Sequence, residues 1–211
     1  MAVRIGILSG KGGVSKSTLS LNLARAIELD GNNVVVIDTD PQRTAKMWAE
    51  SKPEGYGLPV RHESESDAST LEKRIKRLSV DADFAVIDGA AKIEGATGAA
   101  VRASHAVLVP VQPTPADTWG ARSVVEIVKE TGTTAAIVIT RQIVGTNLAE
   151  EVAEGLRRYG LPVFENRMSQ RVAFAESMFD GKTVLDLPDA EKAKSEIQGI
   201  ATDLAQLLSE L

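Results

Sequence analysis

The chain has 211 residues, 43% of them apolar and 4% aromatic, a size and composition that suit one globular domain with a sizeable core. Its 24 Lys and Arg stand against 29 Asp and Glu, a formal net charge of −5, which excludes a generally basic nucleic-acid binder and confines any DNA contact to a local patch. With no cysteine, thiol catalysis, disulfides and cysteine-held clusters are excluded. The sequence opens without a basic-then-apolar leader and holds no apolar run long enough to cross a bilayer, so a cytoplasmic protein is expected.

Ala2–Leu8 reads as a first strand and Lys16–Leu29 as a first helix, ended by the turn residues Asp30 to Asn33. Between them lies Ser9-Gly10-Lys11-Gly12-Gly13-Val14-Ser15-Lys16-Ser17-Thr18. A strand, a glycine-rich turn and a helix N-terminus together make a phosphate cradle, because backbone N–H groups point inward and the helix dipole adds partial positive charge. Lys16 can reach the outer phosphates and the Ser17 hydroxyl can ligate Mg²⁺. Ser15 stands where the usual pattern has glycine. Lys11 is an additional lysine, followed directly by Gly12-Gly13, and can project away from its own nucleotide across an interface.

Val34–Ile37 is a β-branched run, expected as a buried strand that delivers Asp38-Thr39-Asp40-Pro41-Gln42 to the carboxyl edge of the sheet. There one aspartate can hold a metal-bound water and the other can orient an attacking water; a helix cap and a turn residue are the structural alternatives. A helix is expected over Arg43–Glu50, a loop over Ser51–Tyr56 and a short strand over Leu58–Arg61. His62 to Asp67 reads as a polar loop with His62 exposed, leading into a helix Ala68–Leu78 whose Lys73, Arg74, Lys76 and Arg77 form a basic, solvated face. Phe84–Ile87 is a strand ending in Asp88-Gly89, which can supply a carboxylate beside Mg²⁺. Gly95–Ala103 reads as a helix of small residues and Ala106–Val111 as a buried strand. Gln112 to Asp117 is a rigid loop with Asp117 capping a helix to Glu130, in which Trp119 is expected to pack.

Taken in order, these motifs resemble the deviant Walker A loop and companion segments of the ParA/MinD superfamily of P-loop ATPases, closest to the short plasmid-partition members. The resemblance implies ATP and Mg²⁺ as cofactors, slow partner-stimulated hydrolysis, and an ATP-sandwiched homodimer in which Lys11 contacts the opposite nucleotide. It makes Lys11, Lys16 and Asp40 catalytic, and Gly10 to Thr18 nucleotide-binding. Ser17, Asp38 (through water) and Asp88 hold the metal, and Arg141, after a strand Thr134–Thr140, contacts the purine. Lacking cysteine, the chain is unlike the iron–sulfur branches of that superfamily.

Toward the C-terminus, Asn147–Tyr159 is expected as a helix capped by Asn147, Leu161–Phe164 as a late strand and Val172–Phe179 as a helix. Arg167, Arg171 and Lys182 are candidates for nonspecific DNA contact through phosphates, against the alternative of pairing with Glu165, Glu176 and Asp180. Ala190–Leu211 closes the chain with one apolar face, Ile197, Ile200, Ala201, Leu204, Leu207 and Leu208. Its acidic end argues against a membrane-surface helix and hence against a MinD-like membrane cycle.

The expected fold is therefore a single α/β domain over residues 1–211, a doubly wound, mostly parallel sheet with helices on both faces. The main functional expectation is a nucleoid-associated ATPase that partitions a plasmid or chromosome with a centromere-binding adaptor. The alternatives are a nucleoid-based positioning ATPase for a protein cargo such as a microcompartment or receptor cluster, a membrane-cycling division regulator, a metabolic P-loop enzyme, and a binding module that uses ATP as a switch.

Overall fold

A computed structural model describes residues 2–65, 67–91 and 94–211. Ser66, within the stretch read as a polar loop, lies outside them. In chain order the elements are β1 (Val3–Ile7), α1 (Lys16–Leu29), β2 (Val34–Asp38), α2 (Thr44–Glu50), β3 (Val60–His62), α3 (Ala68–Leu78), β4 (Phe84–Asp88), α4 (Glu94–Ala103), β5 (Ala106–Val111), α5 (Pro115–Thr131), β6 (Thr134–Ile139), α6 (Leu148–Arg157), α7 (Val172–Phe179), a 3₁₀ turn (Val184–Asp186) and α8 (Glu191–Leu208).

The six strands form one sheet in the order β3-β2-β4-β1-β5-β6, and every pair in it is parallel. A parallel sheet needs crossover helices, and these cover both faces, so its strands are apolar on both sides. Ile5, Val34, Val36 and Val86 pack with Leu19, Leu23, Trp48, Phe174, Ile197 and Leu204 under α1, α2, α7 and α8. Val35, Ile37, Ala85 and Ile87 pack with Leu71, Ile75, Val124, Val128 and Leu156 under α3, α4, α5 and α6. The first loop leaves the carboxyl end of β1 at the point where the strand order reverses, the place where open α/β sheets build their ligand crevice.

Several expected elements are displaced, each for a local reason. The third strand is Val60–His62 because Leu58 takes a left-handed φ of 55° and its N–H donates to the Glu28 carboxylate at 2.8 Å. Arg43 does not begin α2; it sits in the left-handed region at the position before it. Thr114, not Asp117, caps α5, since its hydroxyl accepts the Asp117 N–H. Asn147 precedes α6 without a side-chain cap bond. Leu161–Phe164 is not a strand: it contributes one isolated bridge, Val163 to Ile137. Trp119 does not pack inside but is 72% exposed.

The C-terminal segment returns to α2. The Trp48 indole N–H donates to the Lys182 carbonyl at 2.9 Å, and a Cβ on Gly181 would lie 2.4 Å from the Ser51 carbonyl carbon and 2.5 Å from the Lys52 nitrogen. Gly181 also has φ 61°, so both conformation and space demand glycine. Gly181→Ala is expected to lower stability by about 2–3 kcal/mol, read from the midpoint of urea unfolding.

Candidate functional site

The loop between β1 and α1 turns through Gly13 at φ 83° and Ser15 at φ 64°. Ser15 therefore keeps the backbone shape that the missing glycine would supply freely. An L-residue in that region carries a cost of roughly 1–2 kcal/mol, partly offset by its lower chain entropy when unfolded. Ser15→Gly should accordingly raise stability by about 0.5–1 kcal/mol, read as an upward shift of the thermal midpoint. The neighbouring strand ends brace the loop. Gln112 Nε2 donates to the Gly13 carbonyl at 2.6 Å, Thr140 Oγ1 to the Val14 carbonyl at 3.1 Å, and Arg141 Nη1 to the Gly13 carbonyl at 3.5 Å.

Lys16, the first residue of α1, is buried, and its Nζ donates to the Lys11 carbonyl at 3.1 Å. Burial lowers its pKa, while the Asp88 and Asp40 carboxylates pull the other way. The ammonium is thus set among the loop carbonyls with acidic groups close by.

Asp88, Asp38 and His62 lie side by side in one row at the carboxyl edge, on the face covered by α1 and α2, because Asp38 is in register with both of the others. The two aspartates have different surroundings. Asp38 Oδ1 accepts the Asp40 N–H at 3.0 Å and Oδ2 accepts the Lys46 N–H at 2.9 Å, so one oxygen supports the turn before α2 and the other its first turn. Burial raises its pKa and those two N–H groups lower it. Asp88 Oδ1 accepts from the Ser20 hydroxyl at 3.2 Å, whereas Oδ2 is buried without a hydrogen-bond partner among the described residues. Burial pushes Asp88 up to about 7, against the Ser17 hydroxyl, Lys16 and Ser20, which hold it down, and with Asp38, which adds to the rise. A buried, unpartnered carboxylate oxygen is costly, and a cation is what relieves it. The Ser17 hydroxyl beside it supplies a second oxygen, so the residues fit a hard divalent ion. Among the described residues no three His, Asp or Glu cluster to hold a metal unaided. That suits an ion bound by one or two protein oxygens and the phosphates of its ligand. Asp40 is half-buried at the rim, where its carboxylate accepts the Gln42 N–H at 2.9 Å.

Lys11 points away from the cradle its own loop forms. Its Nζ meets Asp117 Oδ1 at 2.7 Å, and its stem lies over Gly120, where a Cβ would be 3.3 Å from the Lys11 Cβ. Asp117 is buried and anchored to Thr114, so the clamp is firm at one end and open at the other, with the Lys11 side chain 38% exposed. On the opposite side of the loop, Ser15, Thr18 and Arg141 open into a cleft of about 490 Å³ whose far wall is Met168, Phe174 and Met178.

The three DNA candidates are not equivalent. Arg167 pairs with Glu150 at 2.6 Å and Arg171 with Glu196 at 2.6 Å, partners different from those anticipated. Lys182 is half-buried and pairs with no carboxylate among the described residues. His62, read as an exposed loop residue, ends β3 half-buried beside Asp38, with its Nδ1 buried and without a hydrogen-bond partner among the described residues. Gln112, Thr140 and Asp117 lie in segments that the resemblance brings near the nucleotide, but their direct contacts to the loop were not foreseen, since these span about a hundred residues of sequence.

Comparison with known proteins agrees with this architecture. "Maintenance of carboxysome distribution protein A" of Gloeobacter kilaueensis is 28% identical over 206 residues, covering 95% of this chain and 93% of that protein. The protein of the same name from Halothiobacillus neapolitanus is 25% identical over 194 residues, 88% of each. "Protein ParA" of Rhizobium radiobacter is 30% identical over 125 residues, 59% of this chain and 55% of that protein. Among solved structures, the MinD cell division protein of Aquifex aeolicus superposes with a TM-score of 0.79 at 20% identity, over 97% of this chain and 98% of that one. An ATP complex of a McdA variant from Cyanothece superposes at 0.77 and 16% identity, over 97% and 96%. These last two establish likeness of fold. The profile of the CobQ/CobB/MinD/ParA nucleotide binding domain matches residues 5–184, so the chain belongs to that family.

Proposed function

We propose that the chain is a Mg²⁺-dependent ATPase that closes into a nucleotide-bridged dimer and positions a large protein assembly over the nucleoid. The observation that carries this reading is the placement of Lys11: turned out of its own cradle, and held at the surface by one ion pair. A lysine that served its own phosphates would have no reason to lie there. The kind of cargo rests on the two carboxysome-distribution relatives, which align along nearly the whole chain.

In this reading Lys16 and the loop N–H groups hold the phosphates, and the cleft at Arg141 takes the nucleoside. Ser17 and Asp88 would hold Mg²⁺, which would supply positive charge against the phosphates. Asp38 would accept a hydrogen bond from a metal-bound water while its Oδ2 supports α2. Asp40 orients the attacking water, and Lys11 enters the partner's site. A site completed only in the dimer turns over slowly alone, because phosphoryl transfer depends on positioning and charge stabilisation. Dimer closure also gathers two copies of the basic side chains Arg167, Arg171 and Lys182 into a bipartite surface for DNA phosphates, and an adaptor carried by the cargo stimulates hydrolysis and releases both. Plasmid or chromosome partition is the second reading, favoured by the ParA relative.

The test follows tagged chain and cargo in cells together with plasmid retention. Loss of the chain should collapse the spacing of the protein assemblies and leave plasmids evenly inherited. Plasmid loss with undisturbed assemblies would replace the first reading with the second. No helix among the described residues is long and apolar enough to cross a membrane; ATP-dependent binding to anionic liposomes in place of DNA would overturn both.

A further inference from the structure

The two tryptophans have opposite surroundings. Trp48 is 3% exposed and Trp119 72% exposed, in a chain with only 4% aromatic residues. Trp119 lines a groove of about 430 Å³ between α5 and the residues Arg158 and Tyr159 just past the end of α6. Val125 lies buried at the groove and Tyr159 forms part of its wall, its hydroxyl fixed by donating to the Thr118 carbonyl at 3.0 Å. Three cations line the same groove. Arg122 is taken by Glu126 at 2.7 Å, but Lys129 and Arg158 are exposed and pair with no carboxylate among the described residues. The α6 carboxylates Glu150 and Glu154 are engaged elsewhere, with Arg167 at 2.6 Å and Arg157 at 2.8 Å.

From this geometry we propose that the groove between α5 and Arg158-Tyr159 docks an acidic segment of a partner protein, with an apolar side chain against Trp119 and carboxylates on Lys129 and Arg158. Trp, Tyr and Arg are the residue types that concentrate binding energy at protein interfaces, and an apolar floor with a charged rim is the corresponding layout. The patch is locally cationic on a chain of net charge −5, so the complement it selects is acidic. A DNA duplex is disfavoured. Two unpaired cations at a concave site neutralise too few phosphates to hold it, and the apolar floor would go unused. Trp119 precedes Gly120, the residue under the Lys11 stem, so a segment bound here sits one residue from the Lys11–Asp117 clamp.

The test uses the full chain without nucleotide and is therefore independent of the ATPase reading. The probe is a short synthetic peptide of Glu and Asp carrying two spaced leucines, followed by tryptophan emission and acrylamide quenching. Docking should shift emission to the blue and protect it, and the response should vanish in Trp119→Phe, since Trp48 is already buried. The double variant Lys129→Glu/Arg158→Glu changes only exposed side chains and should keep its thermal midpoint. It should bind the acidic peptide at least about tenfold more weakly and take up the Lys-substituted counterpart instead. Unchanged emission in the parent chain would overturn the proposal, as would equal binding by the double variant. So would a shift produced by duplex DNA and not by the peptide, or a doubled mass in light scattering that made a second copy the occupant.

Discussion

Lys11→Ala should bind nucleotide normally and fail to dimerise. With Mg²⁺ and a non-hydrolysable ATP analogue, the parent chain is expected to double its mass in light scattering while the variant stays single. The adaptor- and DNA-stimulated rate should fall by about 100-fold or more, the scale for removing one donor from developing negative charge. Nucleotide affinity should change by less than about threefold, because the ammonium rests on Asp117 and not in its own cradle. ATP-dependent dimerisation at parental strength in Lys11→Ala would refute the bridged dimer. The companion change acts in the opposite direction. Asp117→Asn weakens the clamp that holds the lysine at home. A half-exposed ion pair is worth about 0.5–1 kcal/mol, so the ATP concentration at half-dimerisation should drop by roughly two- to fivefold.

Asp88→Asn should separate stability from activity. In the folded chain the carboxyl sits at about 7 against an ordinary value of 3.8, so the neutral form is favoured by folding. The associated stability is complete below about pH 4 and is lost as the pH rises toward and through 7. Without Mg²⁺, the parent chain is therefore expected to melt lower at pH 8 than at pH 5, with Asp38, also raised, adding to the same trend. Asn is neutral throughout and keeps an oxygen for the Ser20 hydroxyl. The substitution should remove much of that slope and stabilise the metal-free chain at pH 8 by roughly 2–4 kcal/mol. It also deletes the carboxylate proposed to hold the metal, so Mg²⁺-dependent hydrolysis should fall at least about 100-fold. A variant less stable than the parent at pH 8 without Mg²⁺ would show that the buried charge is not a burden.

What could be read in advance was what is written locally. The bounds of α1, α3, α7 and β5 coincide with those expected, because each is framed by its own apolar spacing and turn residues. The loop between β1 and α1 and the strand-end positions of Asp38 and Asp88 were legible for the same reason: motif and flanking strand are contiguous. The failures involve partners distant in sequence. Nothing near Leu58 announces that Glu28 will take its N–H and delay the strand. Asp117 has the look of a helix cap, and only the packing of α5 on the loop turns it toward Lys11. His62 ends β3, one residue past the short strand expected at Leu58–Arg61, and its place beside Asp38 comes from sheet register alone. The apolar spacing of Ala121, Val124, Val125 and Val128 does set Trp119 on the opposite, outer side of α5; the expectation that it packs followed its residue type and not that spacing.

Asp38 gives one oxygen to α2, at Lys46, and the other to Asp40 in the turn before it, and α2 in turn rests on the C-terminal segment through Trp48 and the backbone against Gly181. These links behave as a rod with no slack. Whatever re-aims the Asp38 carboxylate must pull on the helix start, and residues 181 and 182, just past α7, must travel with it or break the indole bond. A spectroscopic label on α7 would thus register events at the sheet edge that it never touches, and trimming Trp48 to Phe would cut the cable.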